Sequence, residues 1–332
     1  MNRNPELTLQ TQPELSVAPR RNTLMSDHAT GRIETRITKL SVIIATRNRA
    51  AALRVALDRI FAQKFSGQYE YEIIVVNNAS TDNTEEVIRT HPAMPGGRLR
   101  YVLESRQGLS PARNAGLAVA AGEVIAFTDD DILVAEDWLD EIHREFSTQP
   151  EIGLLGGRVL LAHPGLQPVA IIENEERLCL EGTDHLTFAI GANMVFRREV
   201  FEKVGNFDVR LGAGRFHAGS DDTDMIYRAL RAGFKALYAP NVVVYHDHDR
   251  RTIEQAVSLE FNYGKGGGGF VMKHILEGDL HALRMLYWNI YHLLTSRRRA
   301  AAHSPELRRR LRANLRGYLL GLAAIPLLLR RQ

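Results

Sequence analysis

The 332-residue chain has little cysteine, no long apolar run and no internal repeat. Its one cysteine, Cys179, cannot close an internal disulfide, which excludes a disulfide scaffold and suits a reducing compartment. No stretch of 18 or more apolar residues occurs, so no ordinary membrane span is expected. The nearest is Tyr318–Leu329, which is short, broken by Gly321 and Pro326, and flanked by Arg316, Arg330 and Arg331. Residues 1–39 are polar and proline-spotted, without the apolar core of a signal peptide, and read as a disordered arm. Lysine is absent from Tyr291 onward, yet that tail holds ten arginines against one acid, Glu306. Its net +9 against +3 for the whole chain leaves −6 on the remainder. A basic tail on an acidic body seeks an anionic partner, a lipid surface or nucleic acid; no recognisable nucleic-acid module accompanies it.

What is present is an alternation of short apolar runs with helical patterns. Leu40–Ala45, Tyr71–Val76, Leu99–Leu103 and Val124–Phe127 read as buried strands. Leu53, Ala56, Leu57, Ile60 and Phe61 form one helical face after the first strand. Asp82 with Glu85 suggests a capping box. Ser110-Pro111 suggests an N-cap and first turn for a helix reaching Ala121. This alternation predicts an α/β unit with a mostly parallel sheet, whose ligands bind beyond the carboxyl ends of the strands. The second half is less regular. Phe188–Phe196 suggests a strand with a polar kink, Glu199–Val204 and Asp224–Ala232 short helices, and Ala236–Tyr245 a strand. Beyond Thr252 the chain turns helical, with Gly264–Gly269 as an interruption: a mobile lid carrying Lys265 over a diphosphate, or a flexible linker.

The polar segments after the strands are the candidate sites. Asp129, Asp130 and Asp131 follow an apolar strand; three adjacent carboxylates either cap a following helix or gather round a hard divalent cation. Asp221, Asp222 and Asp224 precede a helix, where capping or general-base chemistry are the two readings. His246 and His248 follow the last strand and could complete a metal site or be ordinary satisfied histidines. Arg113, in the first turns of the Ser110 helix, faces either an anionic ligand or the acidic clusters.

Taken in order, Ser41–Arg49, Val75–Asp82, Gly108–Gly116, Phe127–Asp131, Gly219–Met225 and Val244–His246 resemble the motifs of family 2 glycosyltransferases over Leu40 to Asp249, most of the body. The resemblance implies a GT-A-like nucleotide-binding sheet flanked by helices over 40–250, followed by an arginine-rich helical extension over 251–332. It implies inverting transfer of a sugar from a nucleotide-sugar, of UDP type, to a glycan or lipid-linked acceptor, assisted by Mg²⁺ or Mn²⁺. Position by position, Thr46, Arg47, Asn48, Asn78, Arg113 and Asp129 fall on the nucleotide-sugar site. Asp130, Asp131 and His246 fall on the metal site, with the register of the acidic triplet open, and Asp222 falls on the general base. Asn78 stands where the family often has a base-reading Asp, and its amide oxygen can still accept from a base N–H. The rivals are a nucleotidyltransferase, which would release pyrophosphate, and a catalytically silent nucleotide-sugar-binding subunit. The tail's arginines beside apolar stretches suggest peripheral attachment to the inner face of a membrane, with the body in the cytoplasm.

Overall fold

The computed structural model describes residues 36–183, 185–300 and 304–329. Most of the arm expected over 1–39 therefore lies outside the described residues, as do Arg330 and Arg331. Order is already present before Leu40: Ile37 is buried in the core and the carboxylate of Glu123 accepts from the Thr38 amide.

In chain order the elements are β1 (Lys39–Thr46), α1 (Ala50–Phe61), β2 (Glu70–Asn77), α2 (Thr84–Arg89), β3 (Leu99–Leu103), α3 (Leu109–Val119), β4 (Val124–Asp129) and β5 (Ile132–Val134). Then follow α4 (Trp138–Thr148), β6 (Ile152–Leu161), β7 (Leu178–Leu180), β8 (Met194–Arg197), α5 (Arg198–Val204), α6 (Asp221–Arg231) and β9 (Lys235–His246). The last helices are α7 (Ile253–Leu276), α8 (Leu280–Ala300), α9 (Pro305–Ala323) and α10 (Ile325–Leu329).

The sheet runs β3-β2-β1-β4-β8-β6-β9-β5, with β7 added beside β9. Its first four strands are parallel. From there it departs from the mostly parallel sheet expected: β8 is antiparallel to both β4 and β6, β6 and β9 are parallel, and β5 and β7 are antiparallel to β9. Alternate side chains of each central strand enter opposite cores. Val42 and Ile44 face the layer of α1 and α4, while Ile43, Ile74 and Val76 face the layer of α3 and α6. Burial on both faces explains why these strands read as unbroken apolar runs.

Several local expectations give way to tertiary contacts. Asp82 makes no capping box; its carboxylate accepts from Thr84 N and Oγ1 and from Ala50 N, tying the starts of α2 and α1 together. Ser110 lies inside α3 and donates to Leu211 O, while Gly108, at φ 135°, takes the N-cap position. The strand expected over Phe188–Phe196 begins only at Met194, because Asn193 is buried and bridges Arg158 O and Val242 O across a bulge between β6 and β9. The helix expected from Asp224 starts at Asp221, so the acidic group forms its first turn.

The largest departure is Gly264–Gly269, which is neither lid nor linker but the middle of the 24-residue α7. The glycines bring two helices to backbone contact. A Cβ at Gly264 or Gly268 would collide with backbone carbonyls of Asn314 or Tyr318 on α9, and one at Gly317 or Gly321 with those of Phe261 or Lys265 on α7. The Lys265 ammonium lies over the rings of Phe216 and Phe261. The tail is also pinned by charge. Arg310 and Asn314 of α9 donate to the buried Glu260 of α7 at 2.9 and 3.0 Å. Lys273 and His274 of α7 meet the buried Asp224 of α6 at 2.6 and 2.9 Å, and Arg228 adds a third contact at 2.9 Å. Among the described residues no helix is long and apolar enough to cross a membrane.

Candidate active site

The carboxyl ends of β1, β2, β4 and β9 open into one cavity of about 580 Å³, closed on the far side by α7–α9. Thr46, Arg47, Asn78, Arg113, Asp129–Asp131, Asp222 and His246 all line it. Asn48 does not. It sits at φ 53° with its amide oxygen accepting from Thr81 N and Oγ1, so its role is to hold the β1–α1 turn against the loop after β2.

The three adjacent aspartates face three environments, because they straddle the end of β4 and the start of β5. Asp130 turns inward: Thr46 Oγ1 donates to it at 2.7 Å and Arg49 lies 3.3 Å away. Burial pushes its carboxyl up to about 7, against the opposing pull of Arg49. Asp131 meets Arg49 at 2.8 Å and His246 Nε2 at 3.5 Å, and these partners hold it far below the usual carboxylate range despite burial. Asp129 is the most open of the three, with a third of its side chain accessible, and meets Arg113 at 3.4 Å.

Arg113 is itself buried, bound to Asp221 at 2.6 Å and reaching Gly191 O at 3.4 Å. It joins the two acidic groups through one guanidinium, as the sequence allowed. A side chain at Gly191 would strike that guanidinium. Of the second acidic group, Asp221 is committed to Arg113 and Asp224 to Lys273, His274 and Arg228. Asp221 and Asp222 both line the cavity, but only Asp222 does so without an ion pair among the described residues. Its Oδ2 accepts from Gly191 N at 2.9 Å and its Oδ1 from Thr223 N at 2.7 Å, which fixes the carboxylate without neutralising it.

Asn78 is buried and largely spent. Both amide hydrogens go to Glu104 O and Arg106 O, and its oxygen accepts from Gly108 N at 2.8 Å, leaving one lone pair. It clamps the chain leading into α3.

Asp131 and His246 are the pair best arranged to hold a divalent ion. His246 sits between two oxygens, with Nδ1 3.3 Å from Ala170 O and Nε2 3.5 Å from Asp131; a proton kept on Nδ1 by Ala170 O would let Nε2 turn its lone pair to an ion held with Asp131. A carboxylate with an imidazole, and the open Asp129 nearby, suits Mn²⁺ or Mg²⁺. Among the described residues no ready cage of three or more His, Cys, Asp or Glu exists. Asp130 is turned onto Thr46 and Arg49 instead.

Three residues absent from the sequence-based site belong to it. Arg49 neutralises two aspartates. Arg250 and Tyr263 line the cavity wall beside Asp222. Arg49 could have been found, since it stands three residues after Thr46 in the same motif. Tyr263 could not, because it reaches the cavity only if the glycine run beside it is helical.

The profile of glycosyl transferase family 2 matches residues 41–205, and that of glycosyl transferase family group 2 matches residues 124–304, over half of the chain. The chain belongs to glycosyltransferase family 2. This family 2 glycosyltransferase is 28% identical over 231 residues to glycosyltransferase AglE of Haloferax volcanii, covering 68% of this chain and 72% of that protein. Its fold is GT-A-like. It matches a mannosyltransferase, PcManGT from Pyrobaculum calidifontis, solved with GDP-Man and Mn²⁺, at TM-score 0.55 and 22% identity over 88% of both chains. It also matches S. aureus TarS 1–349 at TM-score 0.59 and 17% identity, over 86% of this chain and 81% of that one.

Proposed function

We propose that this glycosyltransferase moves a sugar from a nucleoside-diphosphate donor to an acceptor hydroxyl with inversion, assisted by a divalent ion. The reading is carried by one observation: Asp129, Asp131, His246 and Asp222 share a single cavity at the strand ends, where Asp222, unlike Asp221 and Asp224, makes no ion pair among the described residues. Asp131 and His246 would hold the ion, which supplies Lewis-acid stabilisation of the charge that develops on the leaving diphosphate. Arg47 and Arg250, neither of which forms an ion pair among the described residues, add positive charge to the same wall. Asp222 takes the proton of the acceptor hydroxyl as its oxygen bonds to the anomeric carbon. The bond from that carbon to the phosphate oxygen breaks, and the nucleoside diphosphate departs from the opposite face. The free lone pair of Asn78 Oδ1 suits an N–H of uracil or guanine. UDP remains our first choice, and the GDP-Man complex of PcManGT makes GDP the second.

A lipid-surface acceptor is supported by the outer side of α8. There Leu280, Leu283, Tyr287 and Tyr291 are exposed along one stripe, while Arg309, Arg312 and Arg316 are exposed on α9. We place the protein in the cytoplasm, at the inner membrane face, on these grounds.

The test is thermal stability against a panel of nucleoside diphosphates with and without Mn²⁺. A ligand at 100 times its dissociation constant adds about 2.7 kcal/mol. A Mn²⁺-dependent shift with one diphosphate names the base. No shift with any of them, on folded protein, would overturn the donor reading.

A further inference from the structure

The cavity does not end at Asp222. It continues beneath α7 into a space between α7, α8 and α9, where its walls are Leu259, Gly267, Phe270, Met285, Asn289 and Tyr318. Phe270, Met285 and Tyr318 are buried there. Its polar side chains are few: Asn289 Nδ2 donates to Tyr318 Oη at 3.2 Å, and Asn314 Nδ2, at its edge, donates to Glu260. What the annex offers a guest is mainly the apolar surface of Leu259, Phe270, Met285 and the Tyr318 ring, in contrast to the charged half around Asp129–Asp131. Two glycines shape it. Gly264 lets α9 approach α7, and Gly267 has only the Tyr318 ring within 4 Å of where a Cβ would stand, at 3.4 Å. The opposite side of α8 is the exposed apolar stripe of Leu280, Leu283, Tyr287 and Tyr291, so the same helix faces the annex on one side and solvent on the other.

We propose that the annex is the acceptor's tail site: it takes a single apolar chain whose polar head, bearing the hydroxyl to be glycosylated, lies at Asp222. The inference rests on the reading of Asp222 as the base and deepens it by choosing a lipid-linked acceptor over a free glycan. An apolar chain there gains by removing each methylene from water, whereas a sugar chain would find few partners for its hydroxyls beyond Asn289 and Tyr318.

The experiment is calorimetric titration of the full chain, with Mn²⁺ and the stabilising nucleoside diphosphate present. The probes are hexyl, octyl and decyl glucoside below their aggregation concentrations, each a single apolar chain on a hydroxyl-bearing head, with glucose as head-group control. Affinity is expected to rise at least tenfold along the series. Gly267→Leu, which fills the annex, should lower decyl glucoside affinity at least tenfold while the nucleotide-induced thermal shift stays. Leu259→Trp, on the annex wall, is the second handle should the first variant lose its nucleotide response. Equal affinity in wild type and a variant that keeps that response, or affinity independent of chain length, overturns the proposal. A wild type that responds to nucleotide and binds no chain refutes the annex while leaving the donor reading intact. One that responds to neither overturns the donor reading too.

Discussion

At the residue scale the site is a matter of which carboxylate is left free. Six aspartates cluster in sequence as two threes, but Arg113, Arg49 and Lys273 engage most of them, and Asp222 stays open to the cavity. Asp222→Asn keeps the side chain's shape and one of the two hydrogen bonds, since its single amide oxygen can accept from Gly191 N or from Thr223 N but not from both, and it cannot take a proton. Turnover should fall by roughly 10²–10⁴-fold with donor affinity nearly unchanged, read as kcat against KM for the donor. Unchanged kcat would move the base elsewhere. Arg113 predicts a different signature. Arg113→Met strands Asp221 and Asp129 in a buried space, and loss of one partner of a buried pair costs about 3–5 kcal/mol. The melting temperature should drop sharply, by more than in Arg49→Met, whose guanidinium is over a third exposed in its pairs with Asp130 and Asp131.

At the scale of elements, α7 is the part that joins tail to site. One of its glycine faces lies on α9; the other lies on the segment leading to Asp221, where a Cβ at Gly266 would stand 2.7 Å from the Gly219 carbonyl carbon. Gly266→Ala should therefore lower kcat by displacing the chain just before the α6 turn that bears Asp222. Gly321→Ala, on the α9 side, should cost about 1–3 kcal/mol of stability. Comparing melting curves with kcat for the two variants separates these effects. The charged pin at the end of α7 carries its own pH dependence. Burial raises Asp208, but Arg210 and Lys273 outweigh it and bring its carboxyl from 3.8 to about 2; Asp224 is held lower still against burial, chiefly by Lys273. Carboxylates depressed on folding stabilise the folded state fully above their unfolded range, and that contribution fades as pH falls toward 2. For Asp208 alone the shift is worth about 2 kcal/mol. Melting temperature should fall between pH 5 and 3, and less steeply in Lys273→Met, which has already lost the attraction.

At the scale of the whole molecule, the body was more legible than its tail. The places of β1, β2 and β4 follow from apolar runs buried on both faces, and the motifs at their ends mark the cavity because open α/β sheets place ligands there. Asn48 and Asn78 could not be assigned from sequence, since their partners, Thr81 and Glu104–Gly108, come from other turns. The glycine run misleads for a physical reason: each glycine costs a helix up to about 1 kcal/mol by propensity, and only tertiary packing, of Gly264 and Gly268 on α9 and of Gly266 and Gly269 on Gly219 and His217, offsets it. The exposed stripe on α8 makes the last prediction. Wild type should float with anionic liposomes, and the triple variant Leu280→Ser, Tyr287→Ser, Tyr291→Ser should not; equal flotation would place the acceptor off the membrane. The glycine seam also has a consequence for inheritance. Because a methyl group at Gly264, Gly268, Gly317 or Gly321 meets main chain on the opposing helix, no rotamer change in a neighbour can absorb it. Descendants of this gene should keep the four together or lose them together, so that their joint presence marks which relatives carry this form of tail.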